Sequence, residues 1–260
     1  MKNGVNGCGN IGSAIARSLS NSTQDILISD RSGRAAALAE ELGISYGTVT
    51  EVSLQCDRIF LGIKPHMVSS VLEPLRPILK ARRPLIISMA AGLEMAQIRE
   101  FVGCDCPIIR IMPNTPTAVG KGVIPYCAID VDGETLRDWL ADMVPCGFLD
   151  PLDESMMDAA SALSGSGPAY LYLMLEAMAD GAVACGLPRQ KAMDYAAATM
   201  SGAAEMALQT KLHPGALKDA VCSPGGSTIA GIRELEQRGF RGAVIECILA
   251  AYAKNKELGK

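Results

Sequence analysis

The stretch Gly7-Cys8-Gly9-Asn10-Ile11-Gly12, close to the start of the chain, decides how the rest is read. Glycines at this spacing let a backbone touch phosphate. The first permits a tight turn after a strand, the second lets a pyrophosphate approach the main chain, and the third lets the next helix pack on the sheet. The phosphates then sit on a helix N-terminus, where unpaired N–H groups and the helix dipole favour negative charge. A bound dinucleotide is the expectation. Glycine-rich turns also recur by chance, so the flanks carry weight. Ile11, Ile15 and Leu19 follow at helical spacing, and Ile26-Leu27-Ile28-Ser29 reads as a second strand ending at Asp30, where an acidic residue holds a ribose hydroxyl. The weak flank is Lys2-Asn3-Gly4-Val5-Asn6, short and polar where a buried parallel strand is expected to be a run of Val, Ile or Leu.

Outward from the motif, residues 1–150 alternate strand-like runs (Ile26–Ser29, Arg58–Ile63, Leu85–Met89, Ile108–Met112, Val123–Ala128) with helical stretches (Ala35–Leu42, Met67–Leu79, Leu93–Phe101). This is the pattern of βαβ units in a parallel sheet, an α/β Rossmann-type doubly wound domain. Residues 151–260 change character: long Ala/Met/Leu segments at helical period (Ser155–Leu163, Pro168–Cys185, Arg189–Leu208, Pro214–Val221, Ser227–Gln237, Gly242–Leu258) predict an all-α domain. Helices this apolar must be covered, so the second domain is expected to dimerise with another copy, the alternative being burial against the first domain.

Composition narrows the classes. Hydrophobic residues make up 49% and aromatics 4%, so the interior is built from Ala, Leu, Ile, Val and thirteen Met. A net charge of −4 without any Lys/Arg run argues against nucleic acid as partner. No apolar run is long enough to cross a bilayer, and the start of the chain leads straight into the glycine motif, so a cytoplasmic enzyme is expected. Nine scattered cysteines read as reduced thiols. Cys104-Asp105-Cys106 is the one close pair, with no second Cys/His cluster to complete a zinc site, and no metal is expected.

Further loops carry candidate chemistry. Gly62-Ile63-Lys64-Pro65-His66 ends the third probable strand, where ligands of open α/β sheets bind; Lys64 there meets cofactor phosphate or ribose, or is simply solvated. Ser88-Met89-Ala90-Ala91-Gly92 and Met112-Pro113-Asn114-Thr115-Pro116 end the next two, the first small enough to pass a flat ring, the second suited to a carboxamide or the substrate, though Asn-Thr-Pro is also an ordinary turn. Ser164-Gly165-Ser166-Gly167-Pro168 and Ser223-Pro224-Gly225-Gly226-Ser227-Thr228 open helices and are candidate anion cradles, or plain capped turns. The two histidines, His66 and His213, read as structural or solvent-facing, so the chemistry calls for a hydride and a hydroxyl donor and no strong base.

Taken in order, Gly7–Gly12, Ile63-Lys64-Pro65, Ile108–Val123, Leu163–Tyr170 and Leu217–Leu235, above all Leu-Lys-Asp-Ala-Val-Cys-Ser-Pro-Gly-Gly-Ser-Thr-Ile-Ala-Gly, resemble pyrroline-5-carboxylate reductase. The resemblance implies NAD(P)H-dependent reduction of a cyclic imine to L-proline, the last step of proline biosynthesis. It also implies a Rossmann domain followed by an all-helical dimerisation domain, and in some relatives a ring of five dimers. Carried over residue by residue, it puts the imine-facing hydroxyl on Thr228 and the substrate carboxylate on the turn Gly225, Gly226, Ser227 and Thr228, consistent with the lack of any cation between Cys222 and Ile232. The cofactor falls to Gly7, Cys8, Gly9, Asn10, Ile11, Gly12, Asp30, Arg31, Ser32, Ile63, Lys64, Pro65, Ala91 and Asn114. The chain departs from the family at Ser227, at Ala220, and near Thr48-Val49, where relatives carry asparagines toward the cofactor at the last two. Asp30 favours the free 2′-hydroxyl of NADH, whereas Arg31, Ser32 and Arg34 suit the 2′-phosphate of NADPH; two arginines against one carboxylate lean the expectation to NADPH. A β-hydroxyacid dehydrogenase needs a catalytic lysine, and Lys191, Lys211 and Lys218 lack its context. A non-catalytic NAD(P)-binding regulator leaves the Ser223–Thr228 loop without a role.

Overall fold

The computed structural model describes residues 1–258. Two compact units are present: Met1–Pro168 with the chain from Ala251 on, and Ala169–Ala250.

The first unit is built on eight strands: β1 Asn3–Asn6, β2 Ile26–Ser29, β3 Ser45–Tyr46, β4 Arg58–Leu61, β5 Leu85–Ser88, β6 Ile108–Ile111, β7 Gly122–Ile129 and β8 Gly147–Pro151. Their order across the sheet is β3-β2-β1-β4-β5-β6-β7-β8. The helices are α1 Asn10–Ser20, α2 Arg34–Leu42, α3 Val49–Gln55, α4 Val68–Leu72, α5 Arg76–Arg82, α6 Met95–Val102, α7 Gly133–Met143 and α8 Met157–Ala160. One core lies under α1, α2 and α7, on Val5, Ile15, Leu19, Ile28, Phe60 and Trp139. The other lies under α3 to α6, on Val52, Ile59, Leu72, Leu79, Ile86 and Ile98. The sheet is therefore wound on both faces, which is why its central strands read as continuous apolar runs.

β1 is the exception to that rule and still occupies the centre. It pairs in parallel with β2 and β4, and all four of its residues are buried. Gly4 leaves room for α3, since a Cβ there would stand 2.5 Å from Val52 Cγ1 and 3.0 Å from Cys56. At the polar end Ser29 donates its hydroxyl to Asn6 Oδ1 at 2.7 Å, while Asn6 Nδ2 and both side-chain polar atoms of Asn3 are buried without a partner among the described residues. Packing and a cross-strand hydrogen bond thus replace the missing Val/Ile run.

The sheet departs from the expected all-parallel pattern at β7, which runs antiparallel to β6. The link between them contains a single 3₁₀ turn, Thr115–Val119, instead of the helical crossover a parallel return needs. α7 then restores a parallel pairing of β8 with β7. The apolar stretch 67–79 is also not one helix: Pro74 and Pro77 divide it into α4, a 3₁₀ turn and α5. α3 and α7 extend the expected set, and both are announced by caps, the Thr48/Glu51 capping box and Asp132.

Buried charge ties α6, β6 and the approach to α8 together. Arg110, 3% exposed at its side chain, donates to Glu154 at 2.9 Å and lies 3.7 Å from Asp158, while Glu154 also accepts from the Met95 N–H that opens α6.

The second unit is helical. It contains α10 Arg189–Thr210, α11 Pro214–Ala220 and α12 Ser227–Gln237, with most of α9 Gly167–Ala184 and α13 Phe240–Leu258. Its helices leave large apolar side chains open: Leu173 is 69% exposed, Leu208 62% and Ile245 58%. Ala179, Ala192 and Ala196 are its buried hydrophobic residues. Among the described residues no helix is long and apolar enough to cross a membrane, and no cluster of three or more His, Cys, Asp or Glu could hold a metal ion.

Candidate cofactor and substrate site

β1 leads outward to β2 on one side, while β4 begins the run in the other direction, so the chain reverses its winding at the β1/β4 pair. Ligands of such sheets bind at this switch point, outside the carboxyl ends of the strands. A cleft of about 630 Å³ opens there. Its lining includes Asn6, Gly7 and Gly9 from the end of β1, Ser29 to Ser32 and Arg34 from the end of β2, and Gly62, Ile63, Lys64 and His66 after β4.

Each glycine of the motif has its own steric reason. Gly7 has φ +102°, and a Cβ there would lie 2.4 Å from Gly62 O. A Cβ on Gly12 would stand 1.9 Å from Gly7 O, so α1 lies directly on the loop. Gly9 differs: nothing lies within 4 Å of where its Cβ would be, and the residue borders the cleft. Gly9 is also the N-cap of α1, with no side-chain cap and no acidic residue in the first turn. Among the described residues no acceptor meets the Gly9, Asn10 or Ile11 N–H groups. A bare helix N-terminus beside open space is built for an anion. The residues fit the pyrophosphate of a dinucleotide.

Asp30 locks this loop. Its Oδ2 accepts from the Cys8 N–H at 2.9 Å and its Oδ1 from the Ser32 N–H at 2.7 Å, with the Ser32 hydroxyl on the same oxygen. Partial burial pushes the carboxyl up, but the bonds from Ser32 and Cys8, with Arg34 nearby, together hold it below the ordinary carboxylate value. Around it stand Arg31, Arg34 and Lys64, three cations against one carboxylate at the cleft. Arg31 itself reaches the Met67 sulphur at 3.7 Å. Cys8 is inert: burial, then the Asp30 charge, pushes its thiol up to about 12.

Of the residues expected to hold the cofactor, Gly7, Gly9, Asp30, Arg31, Ser32, Ile63 and Lys64 come together on this cleft. Cys8, Asn10, Ile11, Gly12 and Pro65 are their chain neighbours and are not part of the lining. Ala91 and Asn114 follow β5 and β6 and lie outside the lining. The Asn114 carboxamide is held at both ends, donating to Ser164 O and accepting from the Val123 N–H, each at 2.9 Å. Arg34, expected beside a 2′-phosphate, also borders the cleft, as do Asn6, Ser29, Thr48 and His66, which were not among the expected cofactor contacts. For Thr48 a signal existed in its capping box with Glu51; for Asn6 it lay in the polarity of a strand end that a core has no reason to contain.

In the second unit, Gly225 has φ +68° and the turn runs into Gly226, the N-cap of α12. A Cβ on Gly226 would meet Ser223 Oγ at 2.4 Å, and its N–H donates to Ser223 O at 3.1 Å. The N–H groups of Ser227 and Thr228 have no partner among the described residues, and both side chains are exposed. His213 plays a structural part, because its Nδ1 accepts from the Gly215 N–H at 3.0 Å and caps α11.

A family model described as pyrroline-5-carboxylate reductase dimerisation matches residues 154–258, and one described as NADP oxidoreductase, coenzyme F420-dependent, matches residues 2–92. The pyrroline-5-carboxylate reductase of Escherichia coli K12 is 40% identical over 268 aligned positions, covering 100% of this chain and 98% of that protein. The soybean (Glycine max) enzyme is 42% identical over 212, covering 80% of this chain and 76% of its own. The crystal structure of Plasmodium falciparum pyrroline carboxylate reductase with NADP bound superposes with a TM-score of 0.89 at 32% identity, over 100% of this chain and 98% of that one. Full-length identity at this level, in the same two-part order of domains, means that the chain belongs to the pyrroline-5-carboxylate reductase family.

Proposed function

We propose that this protein reduces 1-pyrroline-5-carboxylate to L-proline with NADPH, as the last step of proline biosynthesis. The observation that carries the reading is the glycine cradle at Gly9, an uncapped helix N-terminus at the switch point of the sheet, in a chain matched end to end by reductases of this substrate. NADPH, when bound, supplies the hydride taken up by the carbon of the ring C=N bond. The chain's own residues do the rest.

The N–H groups that open α1 hold the pyrophosphate, and Gly7 and Gly12 keep the loop tight enough to present them. Asp30 keeps the loop in place by accepting from Cys8, and with Ser32 already on its other oxygen it has little capacity left for a ribose diol. Arg31, Arg34 and Lys64 then favour a phosphorylated ribose, which supports NADPH over NADH. Ile63 and Pro65 shape the wall after β4, and Ala91 and Asn114 belong to the nicotinamide end of the same cofactor. The substrate carboxylate lies on the Ser227 and Thr228 N–H groups. Gly225 and Gly226 shape that turn, the Gly226 N–H being already engaged with Ser223. The Thr228 hydroxyl donates to the ring nitrogen and delivers its proton as negative charge develops there. The working form is a homodimer through the helical unit, with a ring of five such dimers, found in some relatives according to the resemblance, as the larger assembly open to it. It acts in the cytoplasm, a reducing compartment that suits nine cysteines without a structural disulfide.

Following NADPH and NADH absorbance after addition of pyrroline-5-carboxylate tests the reading. Oxidation of cofactor with the imine, faster with NADPH and absent in the reverse sense with a 2-hydroxy acid and NADP⁺, is the expected result. Turnover of the hydroxy acid, or binding of cofactor with no turnover of the imine, overturns it.

A further inference from the structure

Cys104 and Cys106 are not used by the reaction, and their placement is specific. Gly103 ends α6 in the left-handed region at φ +70°, and the chain then bends so that the Cys106 N–H donates to Cys104 O at 2.9 Å. This is a γ-turn centred on Asp105. It folds residues two apart back on each other, and their sulphurs stand 3.5 Å apart. The two thiols differ in exposure. Cys104 is half-buried, while Cys106 is fully buried, its sulphur pointing at Leu79 O from 3.7 Å. Both thiols border the core under α3 to α6, Cys106 wholly inside it and Cys104 at its partly open edge, where it touches the Cys106 sulphur and is reachable from solvent.

We infer that Cys104 and Cys106 form a reversible dithiol–disulfide site, with Cys104 as the attacking thiol and Cys106 as the resolving one, that takes small-molecule disulfides such as oxidised glutathione. In the first step the Cys104 thiolate attacks one sulphur of glutathione disulfide, forming a mixed disulfide and releasing one glutathione thiolate. In the second, Cys106 gives up its proton and attacks Cys104 Sγ, closing the protein disulfide and releasing the second glutathione. Two protein thiols lose two electrons and two protons, and one glutathione disulfide becomes two glutathiones. The sulphurs need to approach by roughly 1.5 Å to reach the bond length of about 2 Å. Burial, reinforced by Cys104, pushes the Cys106 thiol up to about 12, so like Cys8 it does not react with reagents in solution; the closing step is the slow one and is carried by the 3.5 Å proximity of the two sulphurs, which Cys8 lacks.

The pair precedes β6, at the end of the sheet opposite the cleft that follows β1 and β4. Both cysteines fall in one tryptic peptide, Glu100–Arg110, which contains no other cysteine. The folded protein is incubated with oxidised glutathione, quenched in acid, alkylated, digested and mapped by mass. The wild type is expected to yield this peptide without alkyl groups and two hydrogens lighter. Cys106→Ala is expected to keep a glutathione adduct on Cys104, and Cys104→Ser to leave Cys106 free and alkylated only after denaturation. A wild-type peptide that takes up two alkyl groups overturns the proposal, as does one that retains the Cys104 adduct to the same extent as the Cys106→Ala protein.

Discussion

Asp30 accepts from the Cys8 N–H, the Ser32 N–H and the Ser32 hydroxyl, so its charge is directed into the loop it closes. Selection between cofactors then rests on the cations beside it. Replacing both Arg31 and Arg34 by alanine is expected to raise KM for NADPH by about tenfold or more, the loss of one to two charge-assisted bonds, and to leave KM for NADH within twofold. Steady-state kinetics with both cofactors reads this directly, and equal losses for the two assign the arginines to the shared part of the cofactor. At Thr228 the expectation concerns the chemical step. Removing one positioned donor costs about 10²–10³ in turnover, so Thr228→Ala should lower kcat by that factor with a small change in KM for NADPH. An unchanged kcat removes Thr228 from the mechanism. The expectation at Thr228 came from the family resemblance, since the spacing of Ser223–Thr228 alone also suits a plain capped turn. Asn6 and Ser29 were not visible, because a hydrogen bond between neighbouring strands depends on register, and register is a property of the folded sheet.

α1 is positioned by the contact of Gly12 with the Gly7 carbonyl, so the element and the anion site are one construction. Gly12→Ala places a methyl 1.9 Å from that carbonyl oxygen and must move the helix off the loop. Overpacking of this sort costs about 1–3 kcal/mol, which for a chain of this size lowers the unfolding midpoint by about 2–10 °C. A thermal melt with and without NADPH is the check: both the apo midpoint and the stabilisation by cofactor are expected to fall. Gly9→Ala, whose Cβ meets open space, should leave the apo midpoint within a degree or two and weaken only the stabilisation by NADPH. At this scale the runs of β2, β4, β5 and β6 were legible, because strands buried on both faces are mostly apolar, Arg58 and Arg110 being the charged exceptions, each paired with a carboxylate. β1 was hard to read for the converse reason. Gly4 is there to admit α3, and the Asn6 carbonyl oxygen accepts from Ser29, both compensations supplied by other segments. The direction of β7 was likewise set by what joins it to β6, a single 3₁₀ turn too short to carry the chain back across the sheet.

Over the whole molecule, the two buried cores belong to the sheet unit, while the helical unit leaves Leu171, Tyr172, Leu173, Tyr195, Leu208 and Ile245 each more than half exposed. A unit so open does not hold its helices together by its own burial, and the family model it matches is one of dimerisation. Sedimentation at micromolar concentration is therefore expected to show a dimer or a multiple of it, with the unfolding midpoint rising with protein concentration. A stable monomer refutes this. Introducing paired charges at Leu173 and Ile245 (Leu173→Glu with Ile245→Glu) should yield smaller species of lower stability, because each carboxylate must be desolvated to rebuild the interface. What the sequence determined by itself was everything that depends on local chemistry and period: a glycine loop that opens a helix, alternating strands and helices, and a second half of apolar helices that need cover. What only the tertiary structure decided was which groups are already satisfied. Asp30 and Asn114 look available in sequence, yet are engaged by backbone and side chains brought to them by the fold, whereas among the described residues the amides of Gly9, Ser227 and Thr228 are left open. A hydrogen bond has a fixed and small number of partners, and only three dimensions show which of them are taken.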